Sequence, residues 1–501
     1  MSEQWPGGLI TKTPVTPSGP YEASTASGVW TLEEAYQWTG DGVWPTAGNT
    51  LAYYSTLGHE TSAGWYGRGI DVDSSSNVYL SGYMPNAGGA TYTNDDIVWV
   101  SKWPSDGTAP TWQRSAQDTD VTMCNINDSV IDTTADIIVG VEVRETSERY
   151  ASILKWDTDG VFQWGRNFGR GASYRPSYVA AMGIDSSDNS YMWTQNPTGG
   201  FAQVVKWNSA GAIQWQYSAT TAGGGVGNVL TSQGGDMTVD SSDYLLLGGW
   251  ATTSTGGVVV GSIARVTAAG VVDWSREITA YNEGIQAVAT DSSDNVYISG
   301  KSTSPTVPHI MKFNSSGTKQ WAREIDGSAS GTVWAEGKPK RMAVDASDNV
   351  YLIAQIALNR SASGGPNNTA IGVFKYSSAG VLQWSRYIQG NLYAMGTESR
   401  ITIDGSDMVI ASRASLSTVD AGDYSMFYIK LPTDGSKTGD YTNPTYTGFT
   451  LSYGVLSVAE SEDTTSTVAT ASYTLASTSV AEEATSFTSA TGTLTYDNDP
   501  L

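Results

Sequence analysis

The stretch VATDSSDNVYISGK at 288–301 returns almost unchanged at 342–355 as MAVDASDNVYLIAQ. Aligning it along the chain gives five more copies: IDVDSSSNVYLSGY (70–83), SVIDTTADIIVGVE (129–142), GIDSSDNSYMW (183–193), MTVDSSDYLLLGGW (237–250) and ITIDGSDMVIASR (401–413). The first Asp of the seven copies is Asp73, Asp132, Asp185, Asp240, Asp291, Asp345 and Asp404, at successive gaps of 59, 53, 55, 51, 54 and 59 residues. Self-similarity at so steady a period is the signature of a repeat architecture, in which each unit buries its apolar surface against its neighbours.

Each unit has a second half, as in ASILKWDTDGVFQWGRNF (151–168), AQVVKWNSAGAIQWQYS (202–218) and IGVFKYSSAGVLQWSRYI (371–388); the seventh is degenerate, MFYIKLPTDGSKTGDYT. Apolar runs rich in Val, Ile and Tyr and bounded by Gly, Ser, Asp and Asn are strand signals. About four such runs per unit make a propeller blade. The expected fold is therefore all-β, a seven-bladed β-propeller over 59–443, with an N-terminal arm over 1–58 containing a short helix and a small C-terminal β region over 444–501. The seventh unit lacks its Trp strand, so NTLAYYSTLG (49–58) is expected to close the ring by strand exchange, because an open ring leaves strand edges bare.

A Trp follows the turn Gly by four positions in five units (Trp164, Trp215, Trp274, Trp321, Trp384) and by five in the first (Trp112). Burying a Trp removes roughly 200 Å² from water, on the order of 5 kcal/mol gross. All six are expected to pack between blades. A basic residue precedes the turn in every unit: Lys102, Lys155, Lys206, Arg265, Lys312, Lys375 and Lys430. These are expected to lay their stems along the sheet and pair with nearby Asp.

In both halves the units resemble the bacterial propeller repeats written VDSSGNVYVTG…AKLNPSGTLLWSRYLGG, a likeness over roughly 60–440 that supports the fold and leaves the function open. The G-x-x-x-W element also resembles the tryptophan-docking motif of quinoprotein dehydrogenases, but the cofactor and calcium ligands that accompany it there are not found.

The Asp cluster itself raises the question of chemistry. A calcium loop of EF-hand type needs oxygen ligands at alternate positions and a closing bidentate Glu, whereas Asp291, Asp294 and Asn295 are followed by apolar residues. Short polar residues that tolerate left-handed backbone and bond their own main chain are what a hairpin turn needs. No metal and no cofactor is expected. With only His59 and His309, on unrelated segments, histidine triads and His-based metal sites are not expected either.

At a formal net charge of -23, neither nucleic acid nor an anionic membrane is expected as a partner, since both need clustered cations. One cysteine, Cys124, allows no internal disulfide, and no run of 18 apolar residues is present, so membrane insertion is not expected. The first residues lack a basic and then apolar leader pattern, so a secretory signal is not expected.

In the arm, SGVWTLEEAYQWTGDGVWP (27–45) carries a capping box at Thr31 and Glu34 and a Gly40 stop, a two-turn helix that needs a partner surface. Residues 7–49 resemble the N-terminal segment of structural proteins of marine bacteriophages, which combine a GLI-K-P-P-T-GPY stretch with ASGVWTLEEA and WP. The resemblance implies a virion component on the particle exterior, a tail fibre, appendage or adhesin for host attachment, with capsid decoration or head fibre as the alternative. On this reading the chain is not an enzyme. Trp30, Thr31, Glu34, Trp38 and Trp44 touch the particle or a neighbouring subunit, other virion proteins bind through the arm or the C-terminal region, a host surface glycan or receptor is the outer partner, and the protein is a homo-oligomer. The reading of another class is a carbohydrate-binding surface propeller or a carboxylate-based glycan hydrolase, with GWYGRG (64–69) and GRGASYRPSY (169–178) as the aromatic loops that stack on sugars.

Overall fold

A computed structural model describes residues 66–462, apart from 86–95, 108, 118–122, 146–148, 170–177, 196–201, 222–230, 253–258, 280, 282–283, 302–306, 327–336, 359–368, 391–397, 416–423 and 443–449. It also describes strands at 3–5, 8–10, 53–57, 468–470, 473–477, 482–484, 488–491 and 496–500. The short helix expected at 27–45, with Trp30, Thr31, Glu34, Trp38 and Trp44, lies outside the described residues. Glu3–Trp5 and Gly8–Ile10 pair as an antiparallel hairpin within a separate unit, residues 1–51.

The described strands of residues 52–501 form seven antiparallel sheets. Among the described residues all regular structure is β, and the repeats are the blades of a seven-bladed propeller. The innermost strands are Tyr66–Val72, Met123–Ile131, Tyr178–Ile184, Thr231–Val239, Ile285–Thr290, Lys338–Val344 and Arg400–Asp404; each touches the next, and the seventh touches the first. Buried apolar side chains gather into seven clusters, one at each junction between neighbouring blades. The core is thus a ring of inter-blade layers, as a repeat that cannot bury its own faces requires.

Each D-S-S-D-N motif is the hairpin between a blade's first and second strands. In the fifth blade Asp294 N–H donates to the Asp291 carbonyl (3.0 Å) and Asp291 N–H to the Asn295 carbonyl (3.0 Å). The residue three beyond the first Asp is left-handed: Ser76, Ala135, Asp188, Asp243, Asp294 and Asp348 have φ of 58° to 64°. Asp tolerates that conformation better than most residues. Asp294 also reaches back one blade, accepting from Ser241 N–H (2.9 Å), Ser241 Oγ (2.7 Å) and Ser242 Oγ (2.6 Å). The motif therefore ends a hairpin and fastens two blades.

The Trp residues fasten the next layer out. The indole N–H of Trp112, Trp164, Trp215, Trp274, Trp321 and Trp384 donates to a turn carbonyl of the following blade, at Thr158, Ser209, Ala268, Ser315, Ser378 and Thr433, over 2.8 to 3.2 Å. In five blades an Arg two residues on donates to the carbonyl two residues further along that turn; Arg276 Nε donates to the Gly317 carbonyl at 2.8 Å and its guanidinium lies 5.3 Å from the Trp274 ring. Gly317 has φ +73°, and a Cβ there would stand 2.7 Å from the Trp274 ring, so both the turn and the packing require glycine.

The seventh blade takes its fourth strand from Tyr53–Leu57, paired with Tyr424–Pro432 from Tyr54↔Ile429 to Leu57↔Met426. The described C-terminal strands form no sheet of their own. Thr450–Val455, Ala459–Glu462, Val468–Thr470, Tyr473–Ser477, Glu482–Ala484, Thr488–Thr491 and Tyr496–Pro500 each extend one blade outward, in the order six, five, four, three, two, one, seven. The chain thus runs once round the rim as a belt.

Candidate functional site

Of the 27 Lys and Arg, seven precede the turns and five follow the Trp residues in W-x-R. The turn cations are engaged with the first Asp of their own blade, from 2.5 Å for Lys430–Asp404 to 3.6 Å for Lys102–Asp73 and Lys375–Asp345. The cations left over by blade architecture include Arg68, Lys340, Arg341 and Arg400, and all four come from innermost strands.

Counting back from the turn Asp gives their level along the channel. Asp128, Asp236, Arg341 and Arg400 all stand four residues before it, where the other three units have Gly69, Ala181 and Ala287. Arg341, from the sixth blade, reaches Asp236 of the fourth (3.2 Å) and Asp128 of the second (3.5 Å). Arg400 donates to the Asn127 carbonyl at 3.1 Å, and its Nε lies 4.0 Å from Asp128. The two carboxylates also accept from the backbone of the following blade, Asp128 from Met182 N–H (3.0 Å) and Asp236 from Val288 N–H (2.9 Å). This tier spans the channel. Burial works against charge on Arg341, but Asp236 and Asp128 outweigh it and hold the guanidinium protonated; burial and the nearby Arg341 bring Arg400 down to about 10. Burial raises Asp236, and burial together with Asp128 raises Asp71 well above the usual carboxylate range. Asp71 Oδ2 and Arg341 Nη2 are buried without a hydrogen-bond partner.

A second group lies nearer the end where the innermost strands begin, away from the Asp turns. Arg68 and Lys340 are five residues before the turn Asp, Glu398 six and Tyr178 seven. Strand pairing puts Tyr83 opposite Tyr66 and Glu142 opposite Asn125, both at the seventh position. At about 3.3 Å per residue these levels span only about 7 Å. Arg68 and Lys340 occupy β-bulges, where the register shifts between Gly67 and Gly69 and between Pro339 and Arg341. A bulge re-aims its side chain, and such bulges recur beside active sites. Arg68 forms an ion pair with Glu398 and lies 5.9 Å from the Tyr83 ring centre. Burial raises Glu142 despite Arg149 at 3.8 Å and the charges of Arg144 and Arg68. Burial lowers Lys340 to about 8, helped by Arg400, Lys338 and Arg68 against the pull of Glu398. One buried carboxyl with a raised proton affinity, one ion-paired carboxylate, a lysine with a reduced proton affinity and an aromatic ring therefore share the channel mouth. That set can donate and accept protons and can hold a polar, partly anionic molecule.

The chemistry-bearing residues named from sequence divide between these places. Trp112, Trp164, Trp215, Trp274, Trp321 and Trp384 stand at blade junctions, far down the strands from the mouth. Arg68 and Tyr178 belong to the two aromatic segments singled out in the sequence, and both stand at the mouth levels. Glu142, Lys340, Glu398 and the Asp128–Asp236–Arg341–Arg400 tier were missed. The signal for the tier was present: charged residues at a repeat position that is otherwise Gly or Ala.

No family model and no curated protein matches the chain. Solved structures similar to it include polysaccharide lyase Uly1 (10% identity, TM-score 0.44, covering 74% of this chain and 90% of that one). Others are the endosialidase of phage phi92 (10%, 0.42, 80% and 73%) and the rhamnogalacturonan lyase YesW (13%, 0.32, 66% and 61%). At these identities and scores the likeness is one of general fold. It corrects one expectation: these three structures are described as two lyases and an endosialidase, so the expectation that this chain is not an enzyme is withdrawn.

Proposed function

We propose that the chain is a carbohydrate-active propeller whose site is the channel mouth around Arg68, Glu142, Lys340 and Glu398. The observation that carries this is the pairing of two carboxylates in unlike settings about one arginine: Glu398 in an ion pair with Arg68, Glu142 buried and shifted upward. Hydrolysing a glycosidic bond with a carboxyl pair uses one carboxyl that delivers its proton to the leaving oxygen and one that is free of a proton to act as base or nucleophile, water ending on the freed anomeric carbon. In this scheme Glu142 is the general acid, Glu398 the base or nucleophile, and Arg68 the group that pairs with Glu398 and holds it in place. Tyr83 offers a ring face, and Lys340 and Arg68 offer a cationic rim suited to saccharides bearing carboxylates.

The resemblance of residues 7–49 to marine phage structural proteins supports a place on a phage particle, where a carbohydrate-active propeller would act on the host surface. The test is to incubate the purified chain with neutral and acidic polysaccharides and follow product size and new reducing ends. Chain shortening of at least one acidic polysaccharide is expected. Absence of both cleavage and binding across the whole panel would overturn the proposal.

A further inference from the structure

The seven blade junctions are not equivalent. Six are fastened by a Trp that donates to the next blade's turn, but the closing strand Tyr53–Leu57 reads YYSTL and brings neither Trp nor Arg to the junction of the seventh blade with the first. That junction keeps a hydrogen bond from Ser76 Oγ to Asp404 (2.8 Å), a buried cluster including Trp99, Trp103, Val409 and Tyr428, and the Arg68–Glu398 ion pair. The closing strand is also short and is not continuous with the blade it completes. What it has instead is a second neighbour. Tyr496–Pro500, the last strand of the belt, pairs along its other edge over all five residues, from Tyr53↔Pro500 to Leu57↔Tyr496.

We infer that the final belt strand is a lock on ring closure. To leave the seventh blade, Tyr53–Leu57 must either break its ladder with Tyr496–Pro500 or draw that strand away with it against the belt's hold on the first blade at Thr488–Thr491, so both strands are secured at the one junction without a Trp clasp. Because Arg68 belongs to the first blade and Glu398 leads into the seventh, the same lock holds the two halves of the mouth ion pair together. The lock stands whether or not the mouth acts on saccharides, since it is argued from strand pairing alone.

The test uses the full chain and a variant ending at Thr495, compared by hydrogen exchange resolved to single amides. In an antiparallel strand, alternate amides face opposite neighbours. Those of Tyr53–Leu57 that faced the belt lose their partner trivially. The lock predicts that the amides bonded to Tyr424–Pro432 also lose protection, by about tenfold or more, while the second and third strands of blades two to five exchange as before. Unchanged protection of the amides facing Tyr424–Pro432 would overturn it. A second variant, Asn498→Pro, keeps the chain length and removes a backbone donor; it is expected to show the same selective loss, and full protection there would also count against the lock.

Discussion

The residues that fix this ring do so with charge as much as with apolar area. At Asp73, Asp132, Asp185, Asp291 and Asp345 burial alone would raise the carboxyl, but donors such as Asn295, Lys312 and the Asn295 amide around Asp291 outweigh it and hold the group below its ordinary range. A carboxyl with a lowered folded pKa contributes stability above its unfolded value, and the contribution is lost as pH falls through the folded value. Asp71, Asp236 and Glu142 have the opposite sign: raised in the fold, they add stability as pH falls toward the unfolded value. Urea unfolding is therefore expected to show a stability maximum on the mildly acidic side and a steep fall below about pH 4. A maximum at or above neutrality would contradict these assignments. At a single clasp, Gly317→Ala combines a left-handed backbone with a Cβ against Trp274 and should cost about 1–3 kcal/mol in denaturant unfolding.

At the scale of elements, the blade strands and their turns were legible because sequence period and local chemistry agree. Asp, Ser and Asn stand where a hairpin needs a left-handed residue and its own backbone bonded, and the structure uses them so. Since those carboxylates already accept from backbone N–H, Asn side chains and Lys, chelation with EDTA should leave the melting temperature unchanged; a fall of several degrees would show that the turns hold metal. The rim belt was not legible. Its strands alternate Ser or Thr with Val, Tyr and Ala, which identifies strands but not their partners, because a three- to six-residue strand finds its place through edges supplied by residues far away in the chain. The mouth was half legible: aromatic segments pointed to Arg68 and Tyr178, whereas Glu142 and Glu398 become neighbours of Arg68 only when the first blade meets the second and the seventh.

For the whole molecule, the ring is closed by a strand from before the first repeat. Deleting residues 1–58 should lower the melting temperature sharply and promote aggregation, because the edge of Tyr424–Pro432 is bared; an unchanged melting temperature would contradict closure by Tyr53–Leu57. The functional consequence of closure is that one junction brings Arg68 to Glu398 while the next brings Glu142 within reach of the same charge, and the most direct measurement addresses those two carboxylates. Turnover of the saccharide identified from the polysaccharide panel should be compared in the native chain, Glu142→Gln, Glu398→Gln and the remote rim variant Val271→Thr. A loss of about a hundredfold or more in kcat for each Gln variant, with binding and melting temperature retained and Val271→Thr unaffected, is the predicted result. Full turnover in both Gln variants would contradict the channel mouth as the site.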